Sequence, residues 1–211
     1  MEETLFIIII EVIGTIAFAI SGIRLAAAKS FDWFGAYVVG LVTAIGGGTV
    51  RDILLGIPVF WMQSWMYLAV TFLSLVTVII FRKALIRGMR TLFLFDAIGL
   101  ALFVVVGIEK SFAAGFPVWV AITMGIITGS FGGVTRDILI NEEPLFFRKD
   151  IYATACLAGG IIYWLVALVG FSPLAAQICC GVTVISLRIA AVHYHWSLPI
   201  LHVDPKDLPE D

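Results

Sequence analysis

The sequence contains the stretch GGGTVRD at residues 46–52 and a second version of it, FGGVTRD, at residues 131–137. In both versions a glycine cluster lies in a long apolar segment and is followed by an Arg-Asp pair. Charged side chains are rare and costly inside such segments when they cross a membrane. Each pair therefore requires either a buried partner or a functional role.

The composition is that of an integral membrane protein. Hydrophobic residues make up 61% of the 211 residues, charged residues only 13%, and the mean hydropathy is +1.08. Soluble domains have about 25% charged residues. We therefore predict a single membrane domain over residues 1–211, with no room for a soluble enzyme domain. The formal net charge of -2 leaves no basic patch for nucleic acid.

Hydropathy predicts an all-α protein with seven transmembrane helices and short loops. The predicted spans are residues 4–25, 33–56, 60–81, 91–109, 116–140, 150–170 and 173–195. Most basic residues follow the first, third and fifth helices: Arg24, Lys29, Arg82, Lys83, Arg87, Arg90, Arg148 and Lys149. The positive-inside rule then predicts an inner (plasma) membrane protein with its N-terminus outside and a cytoplasmic tail, residues 196–211, that includes Lys206.

An internal repeat relates the two halves of the chain. Arg51 and Arg136 are 85 positions apart. The same offset aligns further residues without a gap: Gly22 with Gly107, Gly40 with Gly125, Thr43 with Thr128, Tyr67 with Tyr152, and Glu11 with Asp96. We predict two three-helix units, at about 4–81 and 91–170, and a seventh helix outside the repeat. Because each unit has an odd number of helices, the second enters the membrane from the opposite side, which makes the repeat inverted.

The glycine clusters predict breaks in helices 2 and 5. Each glycine weakens a helix by about 1 kcal/mol relative to alanine, so bending or unwinding is expected at Gly46–Gly48 and at Gly132 and Gly133. A break would free backbone groups that only protein or a water-filled cavity could satisfy. The alternative is a packing notch, because Gly40, Ala44 and Gly48 have the small-xxx-small spacing of closely packed helices.

The intramembrane charges predict two buried clusters. Counting residues from the helix ends places Glu11 at the depth of Arg51 and Asp52, and Asp96 at the depth of Arg136 and Asp137. Neighbours along a helix do not face each other, so each arginine needs a partner besides the adjacent aspartate, and we expect the acid of the preceding helix. Such clusters indicate a permeation path, or alternatively ion pairs that only lock the helices together.

Three further features have simpler interpretations. Arg188 in helix 7 has no repeat mate and is expected to reach the cytoplasmic interface. His193 and His195, beside Trp196, are typical of an interfacial belt rather than a metal site. Cys156, Cys179 and Cys180 are expected to be small apolar fillers.

The paired motifs and the seven-helix plan resemble the prokaryotic branch of the trimeric intracellular cation channels, also catalogued as glycine-transporter-like membrane proteins. The resemblance covers about residues 5–195 and implies a homotrimer with one pore in each protomer, lined by helices 2 and 5, through which K⁺ and Na⁺ flow down their gradients. One departure is Phe131, which replaces the first glycine of the second cluster.

The candidate ion pathway consists of motif residues from both halves, backed by two buried acids. The motif residues are Gly46, Gly47, Gly48, Thr49, Arg51, Asp52, Gly132, Gly133, Thr135, Arg136 and Asp137, and the acids are Glu11 and Asp96. No cofactor and no fixed metal site is expected, only a monovalent cation bound transiently near the glycine breaks.

Two functions fit these residues. In a cation channel, freed carbonyls coordinate the ion while the acids offset the arginines. In a transporter of glycine or a similar small zwitterion, an arginine holds the carboxylate and carbonyls take the ammonium. The residues alone do not separate these alternatives, and the resemblance favours the channel.

Overall fold

The computed structural model describes residues 2–82, 85 and 89–199. This part of the chain forms seven α-helices and one short 3₁₀ helix, Phe60–Gln63. The α-helices are α1 (Glu2–Ala28), α2 (Trp33–Leu55), α3 (Met66–Ile80), α4 (Met89–Ala113), α5 (Val118–Leu139), α6 (Ala153–Leu168) and α7 (Pro173–His193). The predicted number of helices is thus confirmed. Lys83, Arg87 and Lys206, which entered the orientation argument, lie outside the described residues.

Five helices, α1, α2, α4, α5 and α7, are long and apolar enough to cross a membrane. The other two are shorter than predicted. α3 begins at Met66 rather than at residue 60, because the chain from Phe60 to Gln63 forms the 3₁₀ turn instead. α6 begins at Ala153, after an irregular segment that contains Asp150 and Ile151.

The helix ends recur at the 85-residue offset. α2 ends at Leu55 and is capped by Gly56, whose φ of 67° is the left-handed conformation of a helix C-cap. Its mate, Asn141, has a φ of 57° just after α5. Asparagine is one of the few non-glycine residues that adopts this conformation readily, so the two loops turn alike despite different residues.

The core is built on helices from both halves. α1 packs against α2, α4 and α3, and α5 packs against α4, α2 and α6, while α7 lies on α6 and α4. Phe18 of α1 and Phe103 of α4 are repeat mates that pack against each other, with ring centroids 5.2 Å apart. This pair of repeat mates therefore joins the two halves of the chain in the buried core.

Candidate functional site

α2 and α5 cross at the two glycine motifs. A Cβ atom added to Gly47 would collide with the backbone carbonyl of Thr128, and one added to Gly132 would collide with the carbonyl of Thr43. These two contacts are related by the same 85-residue offset. Glycine at both positions lets the two backbones touch, as in the small-residue contacts of membrane helices.

The unwinding predicted at the glycine clusters is not found in these two helices. α2 continues as an α-helix from Trp33 to Leu55, and α5 from Val118 to Leu139, through both glycine clusters. The physical reason is the relative size of two free-energy costs. An unmade backbone hydrogen bond in an apolar environment costs several kcal/mol, whereas each glycine costs only about 1 kcal/mol of helix propensity. The close contact of the two helices makes the glycines packing residues, the alternative left open by the sequence.

Not every motif residue is closed off by this contact. A Cβ on Gly46 would lie 3.4 Å from the Thr135 hydroxyl, an ordinary contact distance, and both residues are partly accessible. Thr135 donates its hydroxyl to the Phe131 carbonyl. Thr49, also partly accessible, accepts a hydrogen bond from Trp61 Nε1 at 3.0 Å. The crossing therefore has a partly accessible point where the Thr135 hydroxyl lies beside Gly46.

The Arg51 cluster comprises Arg51, Asp52, Phe60, Tyr67, Glu11 and Lys110. Arg51 Nε donates to Asp52 Oδ1 at 2.7 Å, and its guanidinium lies over the Phe60 ring, 5.6 Å from the centroid. Glu11 accepts from Lys110 Nζ at 2.8 Å and from the Tyr67 hydroxyl at 2.9 Å. The predicted Glu11–Arg51 ion pair is thus wrong within the described chain, because Lys110 of α4 takes the carboxylate.

The Arg136 cluster comprises Arg136, Asp137, Asp96, Ser21, Tyr152 and Arg188. Arg136 Nη1 donates to Asp96 Oδ1 at 2.6 Å and to Ser21 Oγ at 2.8 Å, and Nε donates to Asp137 Oδ1 at 2.8 Å. The Asp96–Arg136 pairing expected from helix depth is present here. Three helices, α1, α4 and α5, are joined through one guanidinium.

Both clusters contradict the expectation that neighbouring residues on a helix do not pair. Asp52 and Asp137 lie in the last turns of α2 and α5, where their second carboxylate oxygens accept the N–H groups of Phe60 (2.9 Å) and Leu145 (3.2 Å). Each carboxylate is thereby held beside the helix end. The long arginine side chain can then reach the aspartate that follows it, which is a consequence of the helix terminus rather than of helical spacing.

The guanidinium of Arg188 is packed between aromatic rings, instead of extending into water at the cytoplasmic interface as expected from the sequence. Its side chain is buried, and its guanidinium lies between the rings of Tyr152 and Phe93, at 4.8 and 5.1 Å from their centroids. Nη2 lies 3.7 Å from Asp96 Oδ2. Asp96 therefore faces two arginines, and α7 joins the cluster although it lies outside the repeat.

The residues that sequence analysis missed are Lys110, Ser21 and the roles of Tyr67 and Tyr152. The two tyrosines did carry a signal, since the repeat aligns them. Lys110 also had one, because it is a cation at the end of an apolar helix that should seek an acid at its own depth. Ser21 carried no such signal in the sequence, because a serine in an apolar helix most often bonds its own backbone.

A cavity of about 270 Å³ leads to the Arg136 cluster, and both Arg136 and Asp137 line it. Its other walls include Lys29, Glu142 and Arg148. Glu142 pairs with Lys29 at 2.6 Å and lies 3.7 Å from Arg148. The hydrogen bond from Lys29 and its positive charge lower the pKa of Glu142 below the usual range. Charged loops thus lie at the mouth of a cavity that reaches the buried arginine.

Comparison with known proteins gives a consistent result. The family model described as "Glycine transporter" matches twice, at residues 8–83 and 93–167, which correspond to the two halves of the repeat. The inner membrane protein YadS of Escherichia coli K12 is 40% identical over 92% of this chain and 96% of its own length. A membrane protein of Vibrio cholerae is 40% identical over 93% of this chain and 83% of its own length.

Solved structures are also similar. A trimeric intracellular cation channel orthologue from Rhodobacter sphaeroides is 32% identical, with a TM-score of 0.85 over 90% of this chain and 98% of that one. A second structure, reported in a study of conductance through cation channels of this type, is 33% identical, with a TM-score of 0.83 over 93% of this chain and 97% of that one. A channel of the same type from C. elegans, at 14% identity and a TM-score of 0.59, shares the fold.

Proposed function

The chain belongs to the prokaryotic trimeric intracellular cation channel family, whose family model is described as a glycine transporter, and from this premise we propose that it is a monovalent cation channel for K⁺ and Na⁺. One observation carries the proposal: more than 90% of the chain matches a solved cation channel at 33% identity and a TM-score of 0.83.

We place the pore within each protomer, along the accessible side of the α2–α5 crossing. Support comes from the partly accessible Gly46 and Thr135 and from the cavity that reaches Arg136 and Asp137. Hydroxyl and carboxylate oxygens can replace part of the hydration shell of a cation. Because the predicted helix breaks are absent, these side-chain oxygens take the role first assigned to freed carbonyls.

The acids make a cation path compatible with buried arginines. A bare guanidinium would repel K⁺, but Arg136 is paired with both Asp96 and Asp137, and Arg51 with Asp52. The local charge near each arginine is then close to zero or negative. A passing cation meets carboxylate oxygens rather than an uncompensated positive charge.

The inverted repeat, the homotrimer and the orientation belong to the same proposal. Contacts between repeat mates, such as Phe18 with Phe103, are what a two-fold axis between the halves requires. The trimer follows from the name of the orthologue from Rhodobacter sphaeroides. We propose that the N-terminus lies outside, because the basic residues of the sequence follow the first, third and fifth helices.

The test is a recording from the purified protein in a planar bilayer with asymmetric KCl and NaCl. Unitary current steps without any amino acid are expected. The description of the family model favours one other function, transport of glycine. Saturable glycine exchange without unitary current would overturn the channel and support the transporter.

A matched pair of variants locates the path. Asp137→Asn removes one of the charges that offset Arg136, so we expect a lower cation conductance and a reversal potential shifted toward that of the anion. Asp32→Asn is the control, because Asp32 caps α2 in an exposed loop and asparagine caps a helix equally well. Equal conductance in the two variants would place the pore elsewhere.

A further inference from the structure

A second cavity, of about 340 Å³, has Arg188 in its wall. It is formed by the segment that precedes α6 and by the end of α7 with the residues that follow it. The lining residues are Lys149, Asp150, Ile151, Arg188, Ala191, Val192, His195, Trp196 and Ser197.

The walls of this cavity are fixed to each other. Asp150 and Ser197 form an antiparallel bridge, and the Leu198 N–H donates to the Lys149 carbonyl at 2.8 Å. The chain after α7 therefore closes back on the segment before α6. The cavity between them is part of the fold rather than a gap between free loops.

One buried donor of a residue that lines the cavity, Nε of Arg188, lacks a hydrogen-bond acceptor in the described chain. Arg188 is 3% exposed, and its Nη1 donates to the Ile151 carbonyl at 3.0 Å. Its Nε is buried and has no hydrogen-bond partner in the described part of the chain. A buried guanidinium donor without an acceptor is costly. An acceptor in the cavity would relieve this cost.

The other lining groups define the chemistry of that acceptor. Lys149 adds a second positive charge, His195 an imidazole ring, and Asp150 one negative charge. Arginine and lysine together are the usual ligands of phosphate, with the planar guanidinium offering more than one donor. The wall is thus suited to an anion that carries several acceptor oxygens.

The position of the cavity identifies the source of the anion. Trp196 stacks on Tyr194 beside it, with ring centroids 5.9 Å apart, and both rings are exposed. Exposed tryptophan and tyrosine at a helix end mark the level of the lipid headgroups. We propose that this cavity binds the phosphate group of an anionic phospholipid, with Arg188 and Lys149 as its ligands.

Binding there would act on the buried cluster. Arg188 Nη2 is 3.7 Å from Asp96 Oδ2, a longer separation than the 2.6 Å between Arg136 and Asp96. A phosphate bound to Arg188 competes with Asp96 for the same guanidinium. The Asp96 carboxylate then interacts mainly with Arg136. The lipid would then tune the ion pathway, a consequence that rests on the proposed function, whereas binding itself does not.

The experiment measures binding to the full chain in detergent by isothermal titration calorimetry. The probe is dioctanoyl phosphatidylglycerol, and the control lipid is dioctanoylglycerol, which has the same acyl chains and no phosphate. Saturable binding of the first and none of the second is expected. Lys149→Gln should raise Kd by about fivefold, the value of one basic residue near an anionic headgroup.

Two further variants decide the assignment. Arg188→Lys keeps the charge but loses Nε, and should raise Kd at least as much as Lys149→Gln. Lys29→Gln removes an exposed lysine that does not line this cavity, and should leave Kd unchanged. If Arg188→Lys fails to fold, the Lys149→Gln variant, which changes an exposed residue, tests the assignment by itself.

The proposal is overturned if Lys149→Gln binds as tightly as the unaltered chain, or if dioctanoylglycerol binds as well as the phospholipid. Inorganic phosphate distinguishes the sources of the anion. If millimolar phosphate displaces the lipid and shows the same sensitivity to the variants, soluble phosphate is the ligand and the lipid assignment is wrong. Conductance does not enter these measurements, so their failure would leave the channel proposal intact.

Discussion

The Arg51 cluster and the Arg136 cluster start from the same motif and end with different partners. In both, the arginine pairs with the next aspartate, and that aspartate accepts an N–H group eight positions further along. Beyond this shared unit they diverge. Arg136 also binds Asp96 and Ser21, whereas Arg51 Nη1 has no hydrogen-bond partner in the described chain.

The divergence comes from residues outside the motif. The repeat mate of Ser21 is Val106, which has no acceptor to offer Arg51. The mate of Leu25 is Lys110, which takes the Glu11 carboxylate. A duplicated motif therefore preserves a local unit of arginine, aspartate and backbone N–H, while single substitutions on neighbouring helices decide how that unit is connected to the rest of the core.

The largest effect is expected from Asp96→Asn. This change removes the acid that faces both Arg136 and Arg188, and leaving such charges buried without their partner costs about 3 to 5 kcal/mol of unfolding free energy. Glu11→Gln should cost about 1 to 2 kcal/mol, because glutamine can still accept from Tyr67 and Lys110 is partly exposed to water. Urea or thermal unfolding in detergent micelles measures both.

The same pair of variants tests whether the two clusters really differ. If Glu11→Gln destabilises the protein as much as Asp96→Asn, Arg51 depends on Glu11 in solution. The two clusters would then be equivalent, as the repeat alone predicts.

Where the halves are alike, equal effects are expected. Gly47→Ala and Gly132→Ala each place a Cβ against a backbone carbonyl of the crossing helix, and overpacking of this kind costs about 1 to 3 kcal/mol. Gly46→Ala is the control: its Cβ would meet Thr135 Oγ1 at 3.4 Å, so the helix propensity of alanine should leave stability unchanged or raised. The measurement is the midpoint of unfolding for the three variants. A loss in Gly46→Ala similar to that in Gly47→Ala would show that the glycines serve something other than this contact.

The loss of a single hydrogen bond isolates the Ser21 difference. Ser21→Ala removes one acceptor from Arg136, and a hydrogen bond to a charged group is worth about 1.5 to 3 kcal/mol. In the other half, Val106→Thr would offer Arg51 a hydroxyl, so it should cost less than the same substitution at the neighbouring buried Val105. Unfolding measurements that find Val106→Thr no better than Val105→Thr would mean that the two positions do not correspond in space.

The repeat and the helix count were predictable because they depend on local properties of the sequence. Hydropathy detects segments of membrane-spanning length, and an ungapped offset of 85 residues over both motifs is hard to produce by chance. The same offset, combined with helix depth, predicted the pairing of Asp96 with Arg136. These inferences need only the positions of residues along helices.

The wrong predictions all needed information about neighbouring helices. The unwinding at Gly46–Gly48 was inferred from helix propensity, on the condition that protein or a water-filled cavity would satisfy the freed backbone groups, and it did not take account of the close contact with α5. The partner of Glu11 depended on how Lys110 of α4 is rotated, and the burial of Arg188 on where α7 packs. Rotation and packing are fixed by tertiary contacts, which the spacing of residues in one chain does not encode.

The smallest effect concerns an ion pair in the loops that border the Arg136 cavity, between Lys29 and Glu142, whose repeat mates Ala114 and Ile57 carry no charge. Lys29 pairs with Glu142 there, and its hydrogen bond and charge lower the pKa of that carboxyl in the folded state. Because the folded pKa is below the unfolded value of about 4.3, the pair stabilises the protein above that pH, and the contribution is lost as pH falls through the folded pKa. The melting temperature of Glu142→Gln should therefore lie slightly below that of the unaltered chain at pH 6 and converge with it toward pH 3. A difference that persists at pH 3 would show that the substitution acts by repacking the loop rather than by removing the ion pair.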